Sequence, residues 1–197
     1  DVCTLFWLFG GKKWKYNVEV QMVGDEYLLK ICFLSLPDNL LTQSLHSYAG
    51  RIPDPFTKSL GVQIPTKQIN MDNNNIKLIL VDISTDPVFE GVKNPRFPNY
   101  IRGASAAVFA FSKSNNSFVE STIEYYHEFR KHIPDPTVPV AFIGLHDDDP
   151  ETVTLQEGQS IAQELGADYF EMAATDLQAL DRILRLLVKR VIALKTS

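Results

Sequence analysis

The sequence predicts an α/β domain built on a mostly parallel, six-stranded sheet with one antiparallel hairpin and helices on both faces. Short apolar runs typical of buried strands alternate with helical patterns along the chain. Two runs rich in β-formers, Gly61–Asn70 and Ile76–Ile83, flank the polar cluster MDNNN, which is typical of a hairpin turn. The 197 residues, of which 45% are hydrophobic, are enough for one domain with its own core.

The predicted elements of the first half of the chain are a strand, a helix and the hairpin. The first strand is Tyr16–Val23, because β-formers run there up to Gly24. The apolar stretch Leu28–Leu36 is interpreted as the start of the first helix, and the hairpin comes next. The proline-containing stretches 37–55 and 86–99 are expected to be loops, because proline disrupts regular helix.

Strands and helices alternate through the second half of the chain. Continuous apolar runs predict the strands Ala106–Phe111, Val138–Gly144 and Ala167–Met172. Apolar residues at helical spacing predict the helices Ser117–Ile133, Leu155–Leu165 and Leu177–Leu194. Residues 1–16 are expected to form an N-terminal lead-in segment, and residues 17–197 the domain itself.

Charge and cysteine content exclude several classes of function. The net charge of −5 argues against a nucleic-acid partner, since phosphate attracts an excess of Lys and Arg. Cys3 and Cys32 match no zinc pattern and give little sign of a disulfide scaffold. The sequence ends without a cysteine, so no lipid anchor is expected in this chain. The expected location is the cytoplasm, with association with an organelle or a large assembly left open.

The first candidate site residues follow the first predicted strand. The segment Gly24–Ile31 (GDEYLLKI) half-matches the phosphate-binding loop GxxxxGK[S/T], which joins a strand to a helix. Gly24 and Lys30 fit the pattern. Leu29 stands in place of the second glycine, and Ile31 stands in place of the hydroxyl that binds Mg²⁺. A hydrocarbon cannot replace an oxygen ligand on a hard cation, so the segment predicts a damaged site.

Motifs along the rest of the chain resemble those of Ras-superfamily small GTPases, most closely the Rab branch. They are TKSLGV at 57–62, VDIST at 81–85, YIRGA at 100–104, SF at 117–118, IGLHDD at 143–148, EGQSIA at 157–162 and EMAAT at 171–175. The resemblance covers about residues 16–194 and implies a P-loop small-GTPase-like fold. It also implies a nucleotide site that contains Gly24, Lys30, Ser59, Asp82 and Asp148.

Departures from the family motifs indicate that this site is vestigial. Thr85 and Asp86 stand where the family has the second-switch glycine and the glutamine that orients water. Leu145 and His146 replace the asparagine and lysine of the base-recognition motif. We therefore expect no catalytic residue, no metal and no cofactor, with weak GTP or GDP binding left open. The favoured hypothesis is a pseudo-GTPase, not an enzyme, that acts as a protein–protein interaction or scaffold module.

The alternative hypothesis is a divergent GTPase that still binds guanine nucleotide and acts as a Rab-like trafficking switch. Under either hypothesis the expected partner is a protein or a larger complex. The proline-containing loops Pro37–Ser59 and Thr85–Asn99 and the hairpin Gly61–Ile83 are expected to form its binding face, because proline lowers the entropy lost on ordering. The candidate anchors are four aromatic residues, with packing beneath their own loops as the alternative: Tyr48, Phe56, Phe89 and Phe97.

Overall fold

The computed structural model describes residues 21–23, 26–36, 41–50, 62–83, 95–146 and 149–194. Its strands are β1 (Gln21–Val23), β2 (Glu26–Leu36), β3 (Val62–Gln63), β4 (Thr66–Met71), β5 (Asn74–Ile83), β6 (Ala106–Ser112), β7 (Val140–His146) and β8 (Asp168–Ala173). Its helices are α1 (Thr42–Tyr48), α2 (Phe97–Ile101), α3 (Asn116–His132), α4 (Leu155–Glu164) and α5 (Leu177–Ala193). None of these described helices is long and apolar enough to cross a membrane. The predicted lead-in segment, residues 1–16, lies outside the described residues.

The strands form one mixed sheet in the order β3-β5-β2-β6-β7-β8. The central pairs β5–β2, β2–β6, β6–β7 and β7–β8 are all parallel. Both β3 and β4 pair antiparallel with β5, on the side opposite β2, so together they fill one strand position. The predicted six-stranded, mostly parallel sheet is therefore confirmed. A short antiparallel pairing of β1 with β2 is an addition that the sequence did not predict.

The stretch interpreted as the start of the first helix is the central strand β2, and that interpretation is wrong. Leu29, Ile31 and Phe33 are buried in the core on one side of the sheet, and Cys32 and Leu34 in the core on the other. A strand that is buried on both faces has a continuous apolar sequence, which periodicity alone cannot distinguish from a buried helix. The first described helix is instead α1, inside a stretch that was expected to be a loop.

The predicted hairpin is confirmed as the β4–β5 pair. Its turn is formed by Asp72 and Asn73, which both have positive φ, 51° and 63°. The left-handed region is open to Asp and Asn more than to other side chains except glycine. A two-residue turn of this kind matches the twist of the two strands. The polar cluster between the β-rich runs therefore sets the register of the edge of the sheet.

Two hydrophobic cores lie on the two faces of the sheet. On one face α5 packs four fully or nearly fully buried residues against the strands: Leu180, Ile183, Leu184 and Leu187. The helix α1 shares this core through Leu45. The opposite core contains residues of α2, α3 and α4, including Phe97, Phe129 and Ala162. The prediction of helices on both faces is confirmed, and the loops at the strand ends are left to form a site.

Candidate functional site

The carboxyl ends of the parallel strands meet at one edge of the sheet, where ligands of such folds bind. β2 ends at Leu36, β5 at Ile83 and β7 at His146. Because α1 begins at Thr42, shortly after β2, it starts at this same edge. Two groups of polar side chains lie here, one where α1 meets β5 and the other around the ends of β6, β7 and β8.

The first group is a buried pair formed by Thr42 and Asp82. The Thr42 hydroxyl donates a hydrogen bond of 2.6 Å to Oδ2 of Asp82, and both residues are almost completely buried. Thr42 is the first residue of α1, and Asp82 is the last but one of β5. A hydroxyl and a carboxylate supply the hard oxygen ligands that Mg²⁺ prefers. The chemistry of this pair therefore fits a magnesium ion.

The position of Thr42 allows a second alignment of the phosphate-binding motif. The motif joins a strand to a helix and ends with Lys-Ser/Thr at the start of that helix. Thr42 begins α1, which follows β2, so an alignment on Thr42 covers residues 35–42 (SLPDNLLT). In this alignment Thr42 matches the hydroxyl residue, the completely buried Leu41 stands at the lysine position, and both glycines are absent. A hydroxyl is thus present beside Asp82, one segment after Ile31.

Lys30 and Ile31 lie in the middle of β2, away from its carboxyl end. Ile31 is buried in the core, and the Lys30 ammonium donates a 2.7 Å hydrogen bond to the carbonyl oxygen of Arg102. Lys30 stands opposite Ile79, whereas Asp82 lies three residues further along β5, roughly 10 Å away at strand spacing. Of the predicted site residues, the structure therefore places Asp82 at the edge and Lys30 elsewhere.

The other predicted nucleotide residues, Gly24, Ser59 and Asp148, lie outside the described residues.

The second group lies at the ends of β6, β7 and β8 and is centred on Lys113. The Lys113 side chain is only 3% exposed, and its ammonium lies 2.7 Å from Glu151 and 2.8 Å from Glu171. Nδ1 of His146 lies 2.5 Å from the other oxygen of Glu151. The Tyr169 hydroxyl donates a 2.9 Å hydrogen bond to Glu171. We call these five residues the Lys113 network.

Electrostatics favour the charged forms of Lys113 and Glu151 in the Lys113 network. Burial alone would lower the pKa of Lys113, but hydrogen bonds to Glu151 and Glu171 outweigh it and raise that pKa above its usual value. The hydrogen bond from Lys113, followed by that from His146, lowers the pKa of Glu151. Burial, followed by the bond to Glu171, raises the pKa of Tyr169, so its hydroxyl stays a donor.

Sequence reasoning singled out His146 but missed the rest of the Lys113 network, as it missed Thr42. The partners of Lys113 come from distant parts of the chain, and no short motif joins them. Lys113 itself carried one signal, because it directly follows the apolar strand AAVFAFS and so had to lie at the functional edge. Leu145, beside His146, is completely buried in the core below α5.

Two of the four candidate partner anchors are inside the protein, and their predicted exposure is wrong. Phe97 is completely buried in the core that α3 covers, with its ring edge-on to His132. Tyr48 is 7% exposed, and its hydroxyl donates a 2.8 Å hydrogen bond to Asp181. Phe56 and Phe89 lie outside the described residues. The alternative, in which these side chains pack beneath their own loops, agrees with the burial of both rings.

Comparison with known proteins identifies the family. The sequence matches the Ras family over residues 45–193. It is 24% identical over 173 residues to the Ras-related protein RABA5b of Arabidopsis thaliana, covering 85% of this chain and 76% of that protein. It is 29% identical over 160 residues to the Ras-related protein RABA5c of the same plant, covering 78% and 71%. It is 21% identical over 162 residues to the GTP-binding protein yptV2 of Volvox carteri, covering 81% and 68%.

These findings overturn the favoured hypothesis of a pseudo-GTPase scaffold and the expectation that the chain is not an enzyme. Ras and Rab proteins are GTPases, and one of the relatives is named as GTP-binding. The hypothesis also depended on the loss of the Mg²⁺ hydroxyl at Ile31, whereas Thr42 supplies a hydroxyl beside Asp82. Together the sheet topology, the matched residues and the Rab-named relatives show that the chain belongs to the Ras family.

Proposed function

We propose that this chain is a Rab-like GTPase, which binds guanine nucleotide with Mg²⁺ and acts as a trafficking switch through effector proteins. The observation that carries the proposal is the buried hydrogen bond from Thr42 to Asp82. Both groups lie where the strand-to-helix connection of the phosphate-binding loop meets the end of β5. The Rab-named relatives support the same activity.

Thr42 and Asp82 are the residues that would hold the metal ion. When bound, Mg²⁺ neutralises charge on the β- and γ-phosphates of the nucleotide. The two side chains already lie in contact, so ordering them for the ion costs little conformational entropy. Their burial also keeps water from competing strongly for the same oxygen atoms.

Leu41 lacks the charge that a lysine would contribute to phosphate binding. In the motif the lysine before the hydroxyl residue reaches the β- and γ-phosphates. Leu41 carries no charge and is completely buried. The chain must therefore hold the phosphates with backbone N–H groups and with the metal ion. We expect it to bind nucleotide more weakly than a relative that carries lysine at this position.

The proposal is tested by titrating the nucleotide-stripped protein with a fluorescent GDP analogue, with and without Mg²⁺. We expect saturable binding that strengthens with Mg²⁺. Thr42→Ala should weaken Mg²⁺-dependent binding by about tenfold or more, since a hydrogen bond or ligand to a charged group contributes roughly 1.5–3 kcal/mol. Thr122→Ala is the matched control, because Thr122 is another buried threonine, bonded to Phe118 in α3 away from the site.

GTP hydrolysis is measured in the same preparations under single-turnover conditions. We expect phosphate release above the protein-free rate in the wild type and in Thr122→Ala, and loss of that release in Thr42→Ala. Absence of saturable binding by the wild type in Mg²⁺ would refute the proposal. Equal binding by the two threonine variants would show that the Thr42–Asp82 pair is not the metal site.

A further inference from the structure

We propose that Lys113 is a positioning residue for the base end of the nucleotide site: it orders the end of β7 without touching the nucleotide. The inference deepens the proposed function and rests on it. In the family resemblance Leu145 and His146 occupy the base-recognition motif, and both are residues of β7. Lys113 joins this strand end to the two neighbouring segments at the same edge.

The backbone of Lys113 makes the first set of connections. Its N–H donates a 3.1 Å hydrogen bond to the carbonyl oxygen of Leu145. Its own carbonyl oxygen accepts from the N–H groups of Thr152 and Val153, at 2.8 and 3.1 Å. The residue therefore holds the end of β7 on one side and the segment that leads into α4 on the other.

The side chain of Lys113 makes the second set of connections. It runs across Gly144, because a Cβ atom at position 144 would lie 3.1 Å from the Cγ and Cδ atoms of Lys113. Beyond Gly144 the ammonium reaches Glu171 on β8 and Glu151 before α4. A buried ammonium joined to two carboxylates has few hydrogen-bond donors left for a ligand. Lys113 can therefore act on a nucleotide only through the segments that it holds.

His146 is the residue through which the effect reaches the site. Its two ring nitrogens face the same carboxylates as Lys113 does, at 2.5 Å from Glu151 and 3.8 Å from Glu171. If Lys113 is removed, both carboxylates lose this cation and the His146 imidazole remains beside them. The imidazole should then be drawn toward them and the end of β7 should lose its fixed position.

A buried ion pair is by itself a weak indication of stability, but it can specify one geometry. The test therefore needs a readout that a general loss of stability would not change. Inosine diphosphate lacks only the exocyclic amino group of GDP, so the ratio of the two affinities reports how accurately the base is held. We expect Lys113→Met to lower the preference for GDP over inosine diphosphate by about tenfold, because small displacements of a positioned group have effects of this size or larger.

Amide hydrogen exchange in the nucleotide-free protein supplies the second readout. We expect faster exchange in Lys113→Met at the amides of residues 113, 152 and 153, with the β2 and β5 amides unchanged. Lys113→Arg keeps the cation, so exchange at these amides should stay slow and the preference for GDP should stay as in the wild type. Lys113→Met with Glu171→Gln removes the uncompensated, partly buried carboxylate in case the single variant folds poorly.

The matched control is Arg190→Met. Arg190 forms an ion pair with Asp168, at the amino end of the same strand β8, away from the site. This variant should change neither the base preference nor exchange at the three amides.

Equal base preference in the wild type and in Lys113→Met would overturn the positioning role and leave the proposed function intact. A uniform rise in amide exchange over the whole domain of Lys113→Met would also overturn the positioning role and leave the proposed function intact. Failure of the wild type to bind GDP at all would overturn the proposed function and, with it, a role for Lys113 in positioning a base.

Discussion

Replacing Gly144 by alanine tests how tightly the Lys113 network is built. A Cβ atom at position 144 would lie 2.3 Å from the Tyr169 hydroxyl oxygen, which is more than 1 Å too close for van der Waals contact. The next atoms are 3.1 Å away and belong to the flexible side chain of Lys113. The tyrosine hydroxyl must therefore move, and its 2.9 Å hydrogen bond to Glu171 must lengthen or break.

The expected cost follows from that one displaced group. A hydrogen bond to a charged acceptor contributes roughly 1.5–3 kcal/mol. Replacing glycine by alanine returns roughly 0.4–1 kcal/mol by restricting the unfolded chain. Gly144→Ala should therefore lower the free energy of unfolding by about 1–2 kcal/mol, within the range for overpacked sites. In a Tyr169→Phe background the clashing oxygen is absent, so Gly144→Ala should cost about zero.

Gly158 provides a contrast within the same cluster. A Cβ atom there would lie 2.2 Å from Cζ and 2.6 Å from Cε2 of Tyr169, and these ring atoms remain in phenylalanine. Tyr169→Phe should therefore not rescue Gly158→Ala. Gly144→Ala and Gly158→Ala are each introduced into the wild type and into Tyr169→Phe, and the free energy of unfolding is measured in urea. For each glycine, the difference between its two costs is its coupling energy with the Tyr169 hydroxyl. Equal rescue at the two glycines, or a neutral Gly144→Ala in the wild type, would refute this account of the packing.

Two further predictions concern the phosphate end and the opposite side of α1. Leu41→Lys should lower the free energy of unfolding in urea by roughly 3–5 kcal/mol, because it places an unpaired ammonium at a completely buried apolar position beside Thr42. Unchanged stability would contradict the burial of this side chain. At Asp181, burial would raise the pKa, but hydrogen bonds from Arg185 and then Tyr48 outweigh it and lower that pKa. The Asp181 carboxylate therefore stabilises the fold at pH values above the usual carboxyl pKa, and this stabilisation is lost as the pH falls through the lowered pKa. The stability difference between wild type and Asp181→Asn in urea unfolding should shrink between pH 7 and pH 3; a constant difference would contradict the shift.

Sequence patterns predicted most of the fold because most elements either have one polar, exposed face or end at a residue that is typical of a turn or a cap. The helix α5 has an apolar stripe, and the β4–β5 turn has residues that accept positive φ. The strand β2 lacked such a contrast, since it is buried on both faces. Because β2 was mistaken for a helix, the phosphate-binding motif was aligned on residues 24–31, which the structure places in and just before this strand. That error removed Thr42 from consideration as a hydroxyl beside Asp82.

The Lys113 network could not be predicted for a different reason. Its contacts join residues that lie near one another only because β6, β7 and β8 are adjacent and parallel. A sequence pattern reports local periodicity, whereas this site depends on the strand order. His146 was noticed as a departure from one family motif and Glu171 lies in another, EMAAT, but neither motif indicates that the two residues meet around Lys113.

The two ends of the site are held by different forces. Where α1 meets β5, Thr42 is hydrogen-bonded to Asp82, a pair whose oxygens suit an added cation. At the base end Lys113 already compensates Glu151 and Glu171 inside the protein. Removing the metal and nucleotide should therefore change exchange mainly around α1 and the end of β5. The base end should stay ordered, since its cation belongs to the chain itself and is not released with the ligand.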